Sequence, residues 1–381
     1  MQIHEVLMLV DPRPEARLKG IARLAGRHGW RVRTEPRLAP PDSWQGDGVL
    51  VMLDGTEALT DFVRSVRRRG IPVVDLTEDC PAVDVPRVTG DNLLIGRLAA
   101  EHFNDRDFRH AAFFSLRRNH TRDLRLKGFR EVWCGKEPET WFWPDAADGA
   151  ADDWNRLDAW LEGKLRKAPK PLAVFCGNDY DAVQVLAACQ RLSLKVPEGV
   201  SILGVDDDPL ICEHQRTPLS SVSHDLERVG YAAAAALERL MSGGSLNNRH
   251  LHVKPRGIVT RSSTETFAVC DRELQPAINY ITRNLSRPLG AAQIAAALKM
   301  PRIRLDRLFA SRLGHSVGAE TARRRLARAT ALLENTEMPL AEIAAECGYC
   351  HASFFIRTFK KATGLTPLAW RKRRRTERSG R

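Results

Sequence analysis

No run of apolar residues in this chain approaches the ~18 that a membrane span requires. The opening stretch, Met1 to Asp11, holds too short an apolar run for a secretory leader. Eight cysteines at 80, 134, 176, 189, 212, 270, 347 and 350 are scattered through apolar contexts without a disulfide-like framework. A cytoplasmic, reducing location is therefore the expectation. No Walker loop and no G-x-G-x-x-G is present, which argues against nucleotide chemistry. The first 270 residues also lack any excess of positive charge, with 37 Lys+Arg against 38 Asp+Glu. The last 111 residues reverse this balance: 22 against 9, a net of +13. A basic domain on a neutral body is the footprint of nucleic-acid binding, because phosphate neutralisation dominates such affinity.

At 381 residues, 43% hydrophobic and 28% charged, the chain has the length for two or three domains with real cores. In residues 1–260 short apolar, β-branched runs recur: Val6-Leu-Met-Leu-Val10, Val49-Leu-Val-Met-Leu53, Ile71-Pro-Val-Val-Asp75, Ala111-Ala-Phe-Phe-Ser115, Ala173-Val-Phe-Cys176 and Val200-Ser-Ile-Leu-Gly-Val205. Segments with helical period lie between them, at 16–27, 57–69, 93–103, 180–192 and 226–241. Buried strands alternating with crossover helices imply βαβ units and parallel sheets. Such sheets bind ligands beyond the carboxyl ends of their strands.

The residues at those ends are polar: Asp91-Asn92, Arg125 in Thr121-Arg-Asp-Leu-Arg-Leu-Lys-Gly-Phe129, Asn178-Asp179 and Asp206-Asp207-Asp208. Carboxylates, an amide and a guanidinium around one cleft suit a polyhydroxylated ligand, whose hydroxyls both donate and accept. Helix capping is the competing account, since Asp and Asn are favoured N-caps. For any one of these positions capping is the stronger reading; for the set, the ligand reading competes.

Val88-Thr-Gly-Asp-Asn92, Arg125-Leu-Lys-Gly-Phe129, Ala173-Val-Phe-Cys-Gly-Asn-Asp179, Ser201-Ile-Leu-Gly-Val-Asp-Asp207 and Leu219-Ser-Ser-Val222 follow the order seen in LacI/GalR-type sensor domains. This part of the chain resembles them. The resemblance implies a two-lobed periplasmic-binding-protein fold over residues 1–265, with Asp91, Arg125, Asn178 and Asp206 at sugar-contacting positions. The helix-turn-helix that those repressors carry ahead of the sensor is not expected here, since a strand opens at residue 4. The cleft edge near Asp11-Pro-Arg-Pro14 lacks a stacking aromatic.

The basic end contains one helical motif twice. Leu340-Ala-Glu-Ile-Ala-Ala-Glu-Cys347 has helical spacing, Gly348-Tyr349 makes a turn, and a second helix runs over 351–361. Phe355 and Phe359 form its core pair at i, i+4. Ala352, Ser353, Ile356, Arg357 and Lys360 fall on the opposite, exposed face, which a helix-turn-helix lays in the major groove. Arg357 is the best base reader, able to bond guanine bidentately. About 50 residues earlier Gln293-Ile-Ala-Ala-Ala-Leu298 supports a helix over 302–312, with Leu305 and Phe309 inward and Arg302, Ile303, Asp306 and Arg307 outward. A linking segment, 317–333, holds Arg323-Arg-Arg325 and Arg328. One rigid helix there would set the readers about one DNA turn apart, roughly 34 Å.

The tandem arrangement resembles the AraC/XylS family. Its signature is followed through Arg328-Ala-Thr-Ala-Leu-Leu-Glu-Asn-Thr-Glu-Met-Pro-Leu-Ala-Glu-Ile-Ala-Ala-Glu-Cys-Gly-Tyr349, Phe354-Phe-Ile-Arg-Thr-Phe-Lys-Lys361 and Thr363-Gly-Leu-Thr-Pro367. The resemblance puts the base-contacting positions on Ile303, Asp306, Arg307, Ala352, Ser353, Ile356 and Arg357. The first motif departs from the pattern, with Lys299 at the usual turn glycine and Pro301 at the usual N-cap. Asp306 would repel phosphate, so it either reads a cytosine amine or is silent.

The whole chain, including Thr260-Arg-Ser-Ser-Thr264 at the junction, resembles bacterial xylose-operon regulators of the XylR type. The expected organisation is a sensor at 1–265, a linker at 266–275, an all-α DNA-binding domain at 276–375 with helix-turn-helix motifs at 289–312 and 340–361, and a tail at 376–381. The resemblance implies a dimeric activator of pentose catabolism that binds double-stranded DNA and works with RNA polymerase, its effector D-xylose or a related sugar. A cleft taking a non-pentose ligand, or none, is the alternative. No catalytic residue, cofactor, metal or membrane partner is expected. Cys347-Gly-Tyr-Cys350-His351 spells a haem-attachment string and Gly314-His-Ser-Val-Gly318 a nucleophile elbow, but each crosses a turn in the basic helical domain, where neither chemistry has its scaffold.

Overall fold

A computed structural model describes residues 3–11, 13–34, 39–144, 154–266, 273–287, 289–336 and 338–372. They form two compact units: residues 1–105 with 109–264, and residues 106–108 with 265–381. Most of the linker expected at 266–275 and all of the tail at 376–381 lie outside the described residues.

The first unit has two lobes, each built on a six-stranded sheet. In lobe 1 the strands are β1 (Glu5–Leu9), β2 (Arg31–Thr34), β3 (Gly48–Val51), β4 (Val73–Asp75), β5 (Arg87–Gly90) and β11 (His250–Val253), all parallel, in the order β11-β5-β4-β3-β1-β2. In lobe 2 they are β6 (His110–Ser115), β7 (Glu139–Phe142), β8 (Leu172–Cys176), β9 (Val200–Val205), β10 (Ser220–Ser223) and β12 (Gly257–Val259). Their order is β12-β10-β9-β8-β6-β7, with β12 alone antiparallel. Central strands such as Val49-Leu50-Val51 and Ala173-Val174-Phe175 are wholly buried, which is why they read as unbroken apolar runs. Edge strand β2, Arg-Val-Arg-Thr, is largely exposed and carries no such signature.

The chain passes between the lobes three times. After β5 it enters α3 (Asn92–Asn104), which packs on lobe 2 against α4 (His120–Val132). After β10 it enters α8 (Leu226–Met241), which packs on lobe 1 against α1 (Glu15–His28). The third passage joins β11 to β12. Glycines permit both helix contacts. A Cβ on Gly96 would collide with the Arg125 carbonyl and one on Gly128 with the Leu93 carbonyl. In lobe 1 a Cβ on Gly230 would meet the Arg17 carbonyl and one on Gly20 the Glu227 carbonyl.

The second unit is all-α: α9 (Gln275–Arg283), α10 (Ala291–Ala297), α11 (Arg302–Leu313), α12 (Val317–Asn335), α13 (Leu340–Glu346) and α14 (Ala352–Thr363). It holds two cores. Ile278, Ile281, Ile294, Leu305, Phe309 and Val317 fill the first, and Ala329, Leu333, Ile343, Phe355 and Phe359 the second. Helix α12 contributes to both. No described helix is long and apolar enough to cross a membrane.

Candidate effector cleft and DNA-reading helices

The three passages between the lobes lie side by side. Asp91 N donates to Val253 O at 2.9 Å and Arg256 N to Ser223 O at 2.8 Å. Gly90 is pressed so closely against the His224 ring that a Cβ there would overlap Nε2. Side chains at the carboxyl ends of the strands gather around this hinge from both lobes. Asp79, beyond β4, accepts from Asn119 Nδ2 and Thr121 N at 2.9 Å each, and Arg13 stands 5.5 Å from the Tyr180 ring centroid. Tyr180 thus reaches from lobe 2 to the 11–14 edge, which has no aromatic of its own.

Asp91 and Asn178 both cap helices: Asp91 Oδ1 accepts from Leu94 N at 2.9 Å, and Asn178 Oδ1 from Asp181 N at 2.8 Å. Capping therefore holds for these two, and the same side chains stand at the strand ends as the ligand reading requires. Arg125 is buried, 3% exposed; its Nε donates to Asn92 Oδ1 at 2.9 Å and a terminal nitrogen donates to the Gly177 carbonyl. Asp206 adopts φ 111°, a left-handed backbone, and lies 3.2 Å from His224 Nδ1. Its neighbours take other work: Asp207 pairs with Arg261 at 2.9 Å and Asp208 caps α7 (Pro209–Cys212).

Electrostatics couple Arg125, Asp206 and His224. Burial draws the Arg125 guanidinium down to about 10, repulsion by Arg122 adds to this, and Asp206 opposes both, so it stays charged at neutral pH. Burial pushes the Asp206 carboxyl up, but its hydrogen bond to His224 and the charge of Arg125 hold it below its ordinary value. Burial lowers His224 against the pull of Asp206, keeping the ring neutral. Arg17, His224, Asn92 and Arg122 belong to this cluster; Asn92 was noted at its strand end but not assigned to the ligand, and the other three were not singled out. The signal for Arg17 was its place just past the first strand, in the first turn of α1.

In the second unit α10 and α11 form the first helix-turn-helix. Lys299 at the turn takes φ 51°, a left-handed backbone at the position where a glycine was expected. In the second, Gly348 takes φ 70° and a side chain there would strike the Leu285 carbonyl. The inward pairs Leu305–Phe309 and Phe355–Phe359 are fully buried. Arg302, Ile303, Arg307, Ser353, Arg357 and Lys360 are exposed, and Asp306 is partly so, with Arg302 Nε 3.5 Å from its carboxylate. Ala352 and Ile356 differ from the expected fully exposed face: both are half-buried against the second core. Phe354, unpredicted, is 50% exposed on the same helix, with the Arg357 guanidinium 5.7 Å from its ring centroid.

The arginines of α12 have partners inside the fold. Arg324 pairs with Glu320, each side chain 1% exposed, and Arg323 also bonds Glu320 at 2.9 Å. Arg325 donates to the Leu285 and Arg287 carbonyls, and Arg328 to Glu346 at 2.8 Å. Much of the positive charge on this helix is structural. Cys347 is buried in the second core, which leaves the haem-attachment string no accessible thiol pair.

Comparison with known proteins agrees with this architecture. Residues 100–264 match the periplasmic binding protein-like domain family and residues 294–373 a helix-turn-helix domain family. The xylose operon regulatory protein of Escherichia coli K12 is 26% identical over 340 residues, covering 86% of this chain and 84% of that protein. Its namesake from Haemophilus influenzae is 25% identical over 289 residues, covering 75% and 74%. Among solved structures, that of a xylose-binding transcription activator superposes with a TM-score of 0.61 at 22% identity, covering 98% of each chain. A cellobiose complex of the transcriptional regulator CelR gives 0.54 at 20% identity, covering 68% of this chain and 84% of that one. The chain is a DNA-binding transcriptional regulator, not an enzyme: a helix-turn-helix domain preceded by a sensor domain of the periplasmic-binding-protein fold.

Proposed function

We propose that this regulator is a homodimeric activator of sugar-catabolism genes, working in the cytoplasm under control of a small sugar-class effector. D-xylose is the effector that its relatives' names suggest. The observation that carries the reading is the convergence of Asp91, Arg125, Asn178 and Asp206 at strand ends around the three interlobe passages. A molecule held there touches both lobes, so its binding energy favours one relative placement of them over another. Duplex DNA would be read by Arg302, Ile303, Asp306 and Arg307 of α11 and by Ala352, Ser353, Ile356, Arg357 and Lys360 of α14. The sensor would span 1–265 and the reader 276–375, with RNA polymerase the further partner through which an activator works.

The test is fluorescence anisotropy of the full chain on DNA selected from a random-sequence library, with and without D-xylose or related pentoses. Wild type should change affinity with sugar. Arg125→Ala should lose that response and keep its basal DNA affinity, at a stability cost of about 1–3 kcal/mol for the acceptors left unbonded. An unaltered sugar response in the variant would contradict the assignment of Arg125.

A further inference from the structure

Arg17 occupies in lobe 1 the place that Arg125 occupies in lobe 2. Each lends its carbonyl to a glycine of the interlobe helix crossing its own, Gly230 for Arg17 and Gly96 for Arg125. Each also stands where the strand order of its sheet reverses. In lobe 1 the chain runs from β1 outward to β2, then returns to the other side of β1 with β3. The Arg17 guanidinium lies there, against Met52 Sδ at 3.2 Å just beyond β3. In lobe 2 the reversal falls between β6 and β8, and Arg125 bonds the Gly177 carbonyl just beyond β8. Crevices at such reversals are where open α/β sheets bind ligands.

The donors and acceptors of the cleft are unequally satisfied. Among the described residues no carboxylate lies within 4.0 Å of Arg17 or Arg125, the two buried guanidiniums of the cleft. Arg17 is 8% exposed, its Nε has no partner, and its bond to Met52 is to a weak thioether acceptor. Arg122 Nε and His224 Nε2 are likewise buried without partners. The carboxylates, by contrast, are taken. Asp206 has His224, Asp91 its own helix, Asp181 the Ser115 hydroxyl at 2.8 Å, and Asp179 the Ser221 hydroxyl at 2.6 Å. A buried guanidinium such as that of Arg17, held by a weak thioether and with Asp206 and Asp11 acting on it only from beyond ion-pair distance, is costly, and a complementary anion compensates it.

We infer that Arg17 is an effector-binding residue and that the effector is an acidic member of the sugar class, whose anionic oxygens pair with Arg17 while its hydroxyls meet the lobe-2 residues. This rests on the sugar-sensor reading and narrows it. A carboxylate at C1 and a phosphate ester share the needed chemistry.

Calorimetric titration of the full chain with sodium D-xylonate, D-xylose 5-phosphate and D-xylose decides the matter. An anionic ligand should bind at least about tenfold more tightly than D-xylose, charge-assisted bonds being the stronger kind. The better of the two anions identifies carboxylate or phosphate. Arg17→Gln should abolish the preference and Arg17→Lys retain part of it. Tightest binding of D-xylose by wild type overturns the inference and leaves the sugar sensor standing. Equal anion affinity in a folded Arg17→Gln chain also overturns it. Silence of wild type toward all three ligands removes the sugar-sensor reading and the inference with it.

Discussion

The Arg125 carbonyl lies so close to Gly96 that the α3–α4 crossing has no room for a single methyl group. Gly96→Ala must therefore push apart two helices, one of which begins at the hinge. The expected loss is about 1–3 kcal/mol, the usual cost of overpacking a tight contact. Gly230→Ala should cost a similar amount by driving α8 off the Arg17 carbonyl. Urea unfolding of the two variants measures this, and unshifted midpoints would show that the helices separate freely.

His224 should make the sensor sensitive to mild acid. Its folded-state value is lowered, first by burial, so the folded ring resists a proton that the unfolded ring accepts near its usual ~6.5. Stability is then complete above that value and falls as the pH drops from it toward the lower folded value. Asp206 adds nothing in this range, because its own lowered value places its loss far more acid. Between pH 7.5 and 5.5 the melting temperature of wild type should change less favourably than that of His224→Gln, the raised carboxyls of Asp179, about 8, and Asp75, about 6, acting with the opposite sign in both. An identical change in both would assign the sensitivity to other groups.

Arg357 is exposed on α14 beside the exposed ring of Phe354. Arg357→Ala should relax selection at one base pair and cost about 1–3 kcal/mol on the preferred sequence. Lys360→Ala should weaken binding evenly across sequences and lower the salt dependence, as a phosphate contact does. Selection from a random library with each variant separates these outcomes. Even weakening by Arg357→Ala would reassign it to the backbone.

Glu320 is an acid buried under two arginines. Burial alone would raise its carboxyl, but bonds to Arg323 and the charge of Arg324 hold it below the ordinary range. Glu320→Ala takes the paired carboxylate from the Arg324 guanidinium, itself 1% exposed, which keeps its bond to the Thr282 hydroxyl, and should destabilise the helical unit by about 3–5 kcal/mol. The double variant Glu320→Leu/Arg324→Met should recover much of that. Circular dichroism melts of the full chain report both, and a harmless Glu320→Ala would mean that water reaches Arg324.

The sequence announced the elements that bury apolar side chains and was silent about those that do not. The α8 boundaries 226–241 and the β9 boundaries 200–205 were legible because their burial period is uninterrupted. Strands β2, β7 and β11 were not, being edge strands with mostly exposed, polar faces. In the cleft, Asp91 and Asn178 could be found because they follow strands directly, although position alone did not separate cap from ligand contact. Arg17 had only its place just past the first strand as a signal and His224 none, since their meeting with Asp206 exists only once two lobes are folded over three strands of chain. The departure at Lys299 was legible as an anomaly, and the left-handed backbone at that turn is its physical content.

Helix α12 has a mechanical consequence for the operator. Its first turn, at Val317, belongs to one core and its last turns, at Ala329 and Leu333, to the other. Its 19 residues make a strut of roughly 28 Å, at 1.5 Å per residue. Lengthening it by one residue would also rotate one reader against the other by about 100°, since a turn takes 3.6 residues. Were both helices to read one duplex, the strut would fix the spacing of the base pairs they touch, and base pairs inserted between those contacts would be tolerated only where the duplex itself bends or twists to suit a strut that cannot stretch.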